Sequence, residues 1–322
     1  MPVLSVLAYK VRAAVSVAVG ALIFIIPVAP GPPGALGGAG LDQHGATAVQ
    51  PPAGIPSVAG AGLSSVACTH DGSCAAVGSY QDSSGNAQTM VLAKPPAGPW
   101  RQATEIPSPP NAAANPDAYM TGIACSGPGT CVAVGNYSVS PTQFEAMGAV
   151  ELHGTWHRAT EIALPRGAIA STFTAITSIS CLAAGPCLGA GQYAVSATQS
   201  RAMVVTESKG RFGRAAAIPA VPRGASTHPS SYLLGISCRP SGVCVAVGGG
   251  RNLAGHSVAM YLVRSGGRWK AAFLTSPDGA TAGQRQLSAL SAVSCTGKAH
   301  CSAVGYYHDQ RGVNHAEAAS TR

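Results

Sequence analysis

Short apolar runs alternate with polar turns along the chain, and the same order of runs returns about every 57 residues. In each copy, apolar residues stand five and two positions before a cysteine, as Leu63 and Val66 stand before Cys68. After the second cysteine of each copy come the segments AAVG, VAVG, LGAG, VAVG and SAVG. Runs of this length with β-branched residues, bounded by turn residues, are typical of β-strands. The pattern predicts four short strands in each copy.

Ten cysteines fall into five pairs, and each pair encloses five residues. Such regular spacing marks an internal repeat. Structural zinc usually needs four ligands gathered from two close pairs, which five separate units cannot share. Opposed residues of an antiparallel hairpin lie at a distance that a disulfide spans. We therefore predict no metal or cofactor, and one disulfide within each repeat: Cys68–Cys74, Cys125–Cys131, Cys181–Cys187, Cys238–Cys244 and Cys295–Cys301.

Four strands repeated radially are the architecture of a β-propeller. We predict an all-β fold over residues 41–322, a five-bladed β-propeller with four-stranded antiparallel blades and one disulfide in each blade. The fifth copy supplies only three strands, so we expect a strand near Thr47–Gln50 to complete the last blade and close the ring. Closure removes exposed sheet edges. The alternative is an open solenoid, which would need capping repeats.

Residues 1–40 have the pattern of an export signal. Lys10 and Arg12 precede an uncharged apolar stretch over 13–29, and a Gly/Pro-rich exit segment follows. This order is typical of a secretory signal peptide. The alternative is an uncleaved anchor, although the apolar stretch is short for a membrane span and Pro27 interrupts it. Together with the even number of cysteines, the segment predicts a secreted or cell-surface protein.

The chain carries 20 basic and 12 acidic residues, a formal net charge of +8. The basic residues are scattered singly, whereas nucleic-acid binders cluster them on one element. We therefore expect no nucleic-acid partner, and contact with a membrane only through an uncleaved signal segment.

The C-x-AVG cores and the Gly-x-Trp elements of residues 44–322 resemble those of secreted bacterial repeat proteins. More distantly, they are similar to the Asp-box propellers of the sialidase-like class. The Asp-box itself (Ser-x-Asp-x-Gly-x-x-Trp) is absent, because only its glycine and aromatic residue remain, as in Gly154 and Trp156. The resemblance implies a propeller fold and transfers no catalytic residue.

A tyrosine follows the repeated glycine by two residues in four copies, where an inner strand leaves for a loop. A ring there can stack on a sugar or a partner, and the alternative is packing between adjacent blades. Loop arginines are a second source of ligand contacts. The candidate ligand-binding residues are therefore Tyr80, Tyr137, Tyr193, Tyr307 and Arg251.

Glycosidases use a pair of carboxylates across the scissile bond. Glu105 and Glu161 share one repeat position on an outer strand and are expected at the surface. No motif for a nucleophile stands out. We predict an exported, non-catalytic binding or scaffold propeller whose ligand is a glycan, a cell-wall component or a protein. The alternative is a propeller-type glycoside hydrolase with an axial site built on loop acids: Asp82, Asp117, Asp278 and Asp309.

Overall fold

We describe a computed structural model. It describes residues 48–321 apart from 56–59, 170, 172–173, 184, 219–221, 227–229, 276, 278–279, 281–286 and 297–299. The described residues belong to one compact unit, Ala48–Arg322. The predicted export segment, residue Thr47 and the loop acid Asp278 lie outside them.

The described chain is all-β, and its strands form five antiparallel sheets in chain order. Sheet 1 contains β1 (Ala61–Cys68), β2 (Cys74–Gln81), β3 (Ala87–Lys94) and β4 (Thr104–Glu105). Sheet 2 contains β5 (Tyr119–Gly127), β6 (Thr130–Ser140), β7 (Gln143–Leu152), β8 (Thr155–Trp156) and β9 (Thr160–Glu161). Sheet 3 contains β10 (Ala175–Cys181), β11 (Cys187–Ser196), β12 (Gln199–Ser208), β13 (Arg211–Phe212) and β14 (Ala216–Ala217). Sheet 4 contains β15 (Ser231–Cys238), β16 (Cys244–Arg251), β17 (Ser257–Ser265) and β18 (Arg268–Phe273), and sheet 5 contains β19 (Ser288–Thr296), β20 (His300–His308) and β21 (Asn314–Ser320).

The number of strands departs from four in three sheets. Sheets 2 and 3 have five, because the outermost strand is divided into two short pieces that both pair with the third strand. Sheet 5 has three among the described residues. Ala48–Gln50 form no strand, and Val49 packs beside Tyr80 and Met90 of sheet 1. The completion of the fifth sheet by an N-terminal strand is therefore not formed in the part of the chain that the structure describes.

The five predicted disulfides are present. Each joins directly opposed residues of the first two strands of its sheet, as Cys68 opposes Cys74, with Cα atoms 3.9–4.1 Å apart. This separation is shorter than the 4.5–5.5 Å of opposed residues in an antiparallel ladder. The neighbouring pair of residues on the side of the turn is hydrogen-bonded: the Thr69 amide donates to the Ser73 carbonyl at 2.8 Å.

A β-bulge recurs in the first strand of every sheet, four residues before its first cysteine. In sheet 2 the register shifts between Met120 and Gly122, and Thr121 is the extra residue. Gly135 lies opposite the bulge, where an added Cβ would overlap the Tyr119 carbonyl oxygen. A bulge bends its strand and redirects a side chain. The repeated glycine of the AVG segment is therefore required by a close approach of two backbones.

Successive sheets pack face to face. The forward face of sheet 1 includes Val77 and Val91, and it packs on the backward face of sheet 2, which includes Met120, Ile123 and Ala133. The residues at these positions in the following interfaces form further buried clusters. Small and β-branched residues on both faces of the inner strands suit this arrangement, because burial of apolar surface from water favours it.

Candidate functional site

Three of the four candidate tyrosines are buried. Tyr80, Tyr137 and Tyr193 are 2%, 0% and 2% exposed. The Tyr80 hydroxyl donates to Glu105 Oε2 at 2.8 Å. The Tyr137 hydroxyl donates to Asn111 Oδ1 at 2.9 Å. These rings have no free face for a sugar, so the arrangement fits packing between sheets better than ligand binding.

Burial is the largest cause that raises the pKa of both Tyr80 and Tyr137 well above the ordinary tyrosine value. For Tyr80, the hydrogen bond with Glu105 raises the pKa further. A nucleophilic or general-base phenolate needs a lowered pKa. These hydroxyls are therefore structural donors at neutral pH.

Tyr307 is half-buried and stacks on His315, with ring centroids 5.3 Å apart. Asp309 Oδ2 lies 3.0 Å from His315 Nε2 in the same hairpin. The pKa of Asp309 is lowered to about 2. The main cause is the hydrogen bond from the Val313 amide, and the hydrogen bond with His315 is the second cause. The fourth candidate tyrosine therefore lies near the end of strand β20, beside a turn that is organised by hydrogen bonds.

Sheet 4 has a glycine where the other sheets have a tyrosine. Gly250 occupies the register position of Tyr80 and Tyr193, six residues after the second cysteine. A cavity of about 100 Å³ lies at this point between sheets 3 and 4. This space is smaller than the engineered apolar cavity of about 150 Å³ that binds benzene, so it has room for only a small part of a ligand.

Apolar side chains and cations line this cavity. Met260, Phe273 and Ile218 provide the apolar part of the wall. Arg201 and Arg251 also line it, and both are exposed. Neither guanidinium has an ion-pair partner among the described residues. The predicted candidate Arg251 is thus placed beside the one register position that lacks a tyrosine.

The side chain of Phe273 occupies part of the space that the tyrosine fills in the other sheets. It is the register partner of Met260, as Ala217 is the partner of Met203 in sheet 3. A Cβ added to Gly250 would lie 3.3 Å from Phe273 Cε1 and 3.4 Å from Met260 Sδ. The phenyl ring of Phe273 has therefore taken up some of the space that the missing tyrosine leaves.

Carboxylates approach one another at one end of sheet 2. Asn111 Nδ2 donates to Glu161 Oε2 at 2.8 Å, and Gln143 Nε2 donates to Glu145 Oε1 at 2.8 Å. Burial, and to a smaller extent the charge of Glu161, raises the pKa of Glu145. Glu161 is exposed, as predicted for its outer strand. The loop acids Asp82 and Asp309 accept amide hydrogen bonds within their own turns.

No cluster of three or more His, Cys, Asp or Glu side chains that is suited to a metal ion occurs among the described residues. In the same part of the chain, no helix is sufficiently long and apolar to cross a bilayer.

Comparison with known proteins gives structural likenesses at low identity. No family model and no curated protein sequence matches the chain. A protein of unknown function from Dyadobacter fermentans is 11% identical, with 85% of this chain and 96% of that chain covered and a TM-score of 0.44. The Hadza microbial sialidase Hz136 is 9% identical, with 73% and 52% covered and a TM-score of 0.45. The α-L-arabinanase of Penicillium chrysogenum is 9% identical, with 78% of each chain covered and a TM-score of 0.43. We transfer no property from these proteins, because all three TM-scores are below 0.5.

The cavity was not predicted, although its signal is present in the sequence. Six residues after the second cysteine, copies 1, 2, 3 and 5 have a tyrosine, whereas copy 4 has Gly250. The repeat predicts the four tyrosines as candidate site residues, whereas the structure buries three of them and has a cavity where the tyrosine is missing.

Proposed function

We propose that the protein is an exported, non-catalytic binding or scaffold module, built of propeller-type blades, whose ligand is a glycan, a cell-wall component or a protein. The observation that supports binding is the cavity at Gly250. Pockets for ligands combine an apolar wall with a few convergent polar groups. Met260 and Phe273 supply the apolar wall, and Arg201 and Arg251 supply the polar groups.

The charges of this site favour a ligand with an acidic group. Two arginines line the cavity, and none of its described lining residues is acidic. A guanidinium recognises a carboxylate or a phosphate through two parallel hydrogen bonds. An acidic polysaccharide or an anionic cell-wall polymer therefore fits better than a neutral glycan.

The test is binding of the full secreted chain to an array of neutral glycans, uronic-acid glycans, sialylated glycans and purified cell-wall polymers. Arg251→Ala and Arg201→Ala should each weaken binding to acidic polymers about tenfold, which is the loss of one charge-assisted hydrogen bond. Arg166→Ala is the matched control, because Arg166 is exposed in a loop and does not line the cavity.

A second variant fills the cavity with side chains that the protein already uses. Gly250→Tyr combined with Phe273→Ala copies the pair Tyr193 and Ala217 of sheet 3. This variant should fold and should lose binding. Binding that survives the filled cavity, or the absence of any acidic ligand, would contradict the proposal.

The alternative function is a propeller-type glycoside hydrolase, and the pair Glu145 and Glu161 is the observation that favours it. A carboxyl group with a raised pKa beside a second carboxylate is the arrangement of a general acid and its partner. Fluorogenic glycosides distinguish the two functions. Turnover that Glu145→Gln abolishes would support the hydrolase, whereas a binding module gives no turnover.

A further inference from the structure

The series of five sheets ends in two faces that are uncovered at least in part: on sheet 1 the first strand is exposed, while Val49 and Ile55 cover the second and third strands. On the backward face of sheet 1, Leu63 and Val66 are 47% and 58% exposed. On the forward face of sheet 5, Val304 is 51% exposed, and Ser291 and Ser294 are also exposed. These five residues define what we call the two terminal faces.

The same repeat positions are buried wherever one sheet follows another. The residues that correspond to Leu63 are at most 1% exposed in sheets 2–5: Met120, Ile176, Leu233 and Leu290. The residues that correspond to Val304 are 0% exposed in sheets 1–4: Val77, Val134, Ala190 and Val247. The first strand of sheet 1 and the forward face of sheet 5 therefore carry the two halves of an interface that the chain builds four times within itself.

The polar contacts of that interface are repeated as well. In sheets 1–3 the bulged residue donates its hydroxyl to the next sheet: Thr121 Oγ1 lies 2.7 Å from the Ile176 carbonyl oxygen, and Thr177 Oγ1 lies 2.7 Å from that of Leu233. Sheet 4 has Leu234 at this position and lacks the bond. Ser291 holds this position in sheet 5. In the register of the repeat, the acceptor that matches Ser291 is the carbonyl oxygen of Leu63.

A second hydrogen bond recurs at two of the four interfaces, because the residue before the first cysteine is serine in sheets 3 and 4 and alanine in sheets 1 and 2. Ser180 Oγ accepts from the Cys238 amide at 2.9 Å, and Ser237 Oγ accepts from the Cys295 amide at 3.1 Å. Ser294 is the corresponding residue of sheet 5. The amide that matches it in the register of the repeat is that of Cys68.

We propose that the forward face of sheet 5 in one molecule binds the backward face of sheet 1 in a second copy of the chain. The contact continues the packing of sheets 1–5, with Val304 against the region of Leu63 and Val66. The residues that define both faces are uncharged, so no buried charge opposes it. Because the two faces differ, the association is heterologous and runs head to tail.

A second copy of the chain is the partner that matches the terminal faces. The terminal faces carry the residues that the repeat uses against itself, including the two hydrogen-bonding serines Ser291 and Ser294. The N-terminal residue Val49 packs beside Tyr80, Met90 and Leu92. Leu63 remains exposed with Val49 in that place.

Sedimentation velocity of the full oxidised chain over a range of concentrations tests the proposal. The native chain should assemble as its concentration rises. Leu63→Lys and Val304→Lys each place a charge in one terminal face, and each variant alone should stay monomeric. A mixture of the two variants retains one native face from each, so it should form a one-to-one dimer and stop there.

Three outcomes would overturn the proposal. A native chain that is monomeric at every concentration would show that the faces are closed within one molecule or stay uncovered. A Val304→Lys variant that still dimerises would show that two copies of sheet 1 pair with each other. A mixture that remains monomeric, while each variant keeps the native circular dichroism spectrum, would show that the two faces do not bind one another.

Discussion

Thr121 Oγ1 lies 2.7 Å from the carbonyl oxygen of Ile176 in the neighbouring sheet. It also lies 3.1 Å from the carbonyl oxygen of Val134 in its own sheet. The bulge turns this hydroxyl toward the next sheet, so one side chain joins the two backbones. The interfaces between sheets are thus polar as well as apolar.

Thr121→Val should lower the free energy of unfolding by about 1 kcal/mol, because the carbonyl oxygens lose a hydrogen-bond donor. Urea unfolding followed by circular dichroism measures the change. Thr121→Ser, which keeps the hydroxyl and has its counterpart in Ser64 of sheet 1, should restore most of the loss. Equal destabilisation by the two substitutions would contradict the prediction, because Thr121→Ser keeps the hydroxyl group to which the stabilisation is assigned.

Gly135→Ala should destabilise the chain by more than about 3 kcal/mol, because its Cβ would overlap the Tyr119 carbonyl oxygen and the two strands would have to separate. The thermal unfolding midpoint of the purified variant is the measurement. Gly62→Ala is the matched control, since no atom lies within 4 Å of the Cβ it would add. If both variants unfold at the native temperature, the close approach is not needed for stability.

Glu317→Met should stabilise the chain at neutral pH by about 1–2 kcal/mol. Glu317 is 5% exposed, and its Oε2 has no hydrogen-bond partner among the described residues. It occupies the position that methionine fills in the other sheets, as Met90 does in sheet 1. Differential scanning calorimetry at pH 7 compares the two proteins, and an unchanged midpoint would contradict the prediction.

The pH dependence of stability provides an independent check on Glu317. Burial raises the pKa of this carboxyl in the folded protein. Its contribution to stability is therefore fully present below about pH 4.5 and is lost as the pH rises through the folded pKa. Glu317→Gln should flatten the fall in stability between about pH 4 and pH 7. A profile that keeps its slope would assign it to other buried carboxyls such as Glu151, whose pKa burial also raises.

Replacing Cys125 and Cys131 together by alanine should cost about 2 kcal/mol, the loop-closure entropy of a bridge between residues this close in sequence. Chemical unfolding of the double variant against the native chain, both without reductant, measures it. A cost below about 0.5 kcal/mol would mean that the two strands are already held by their neighbours.

The regular features of the fold could be predicted from the sequence because they recur. The cysteine pairs, the inner strands and the register of Val77 or Val134 appear in every copy, so each copy supports the others. The bulge at Thr121 could not be predicted, because it depends on which residues oppose each other across two strands. Repetition did not indicate burial, since Tyr193, one of the tyrosines that recur in four copies, is 2% exposed.

The features that set this chain apart lie where the repeat is broken. Gly250 is a single departure, and its effect depends on the volume of Phe273 beside it, which no pattern of polar and apolar positions gives. The exposure of Leu63 depends on its sheet being the first, since its sequence environment matches that of buried Leu290. Position in the series, rather than residue type, decides whether such a side chain contacts water.

Every disulfide joins cysteines six positions apart in the chain. During oxidation each thiol therefore meets its native partner sooner than any other, because short loops close at the smallest entropic cost. Incorrect pairings have little opportunity to form, and the covalent framework needs no shuffling to reach its final state. Oxidative folding of the chain should accordingly depend little on a disulfide isomerase.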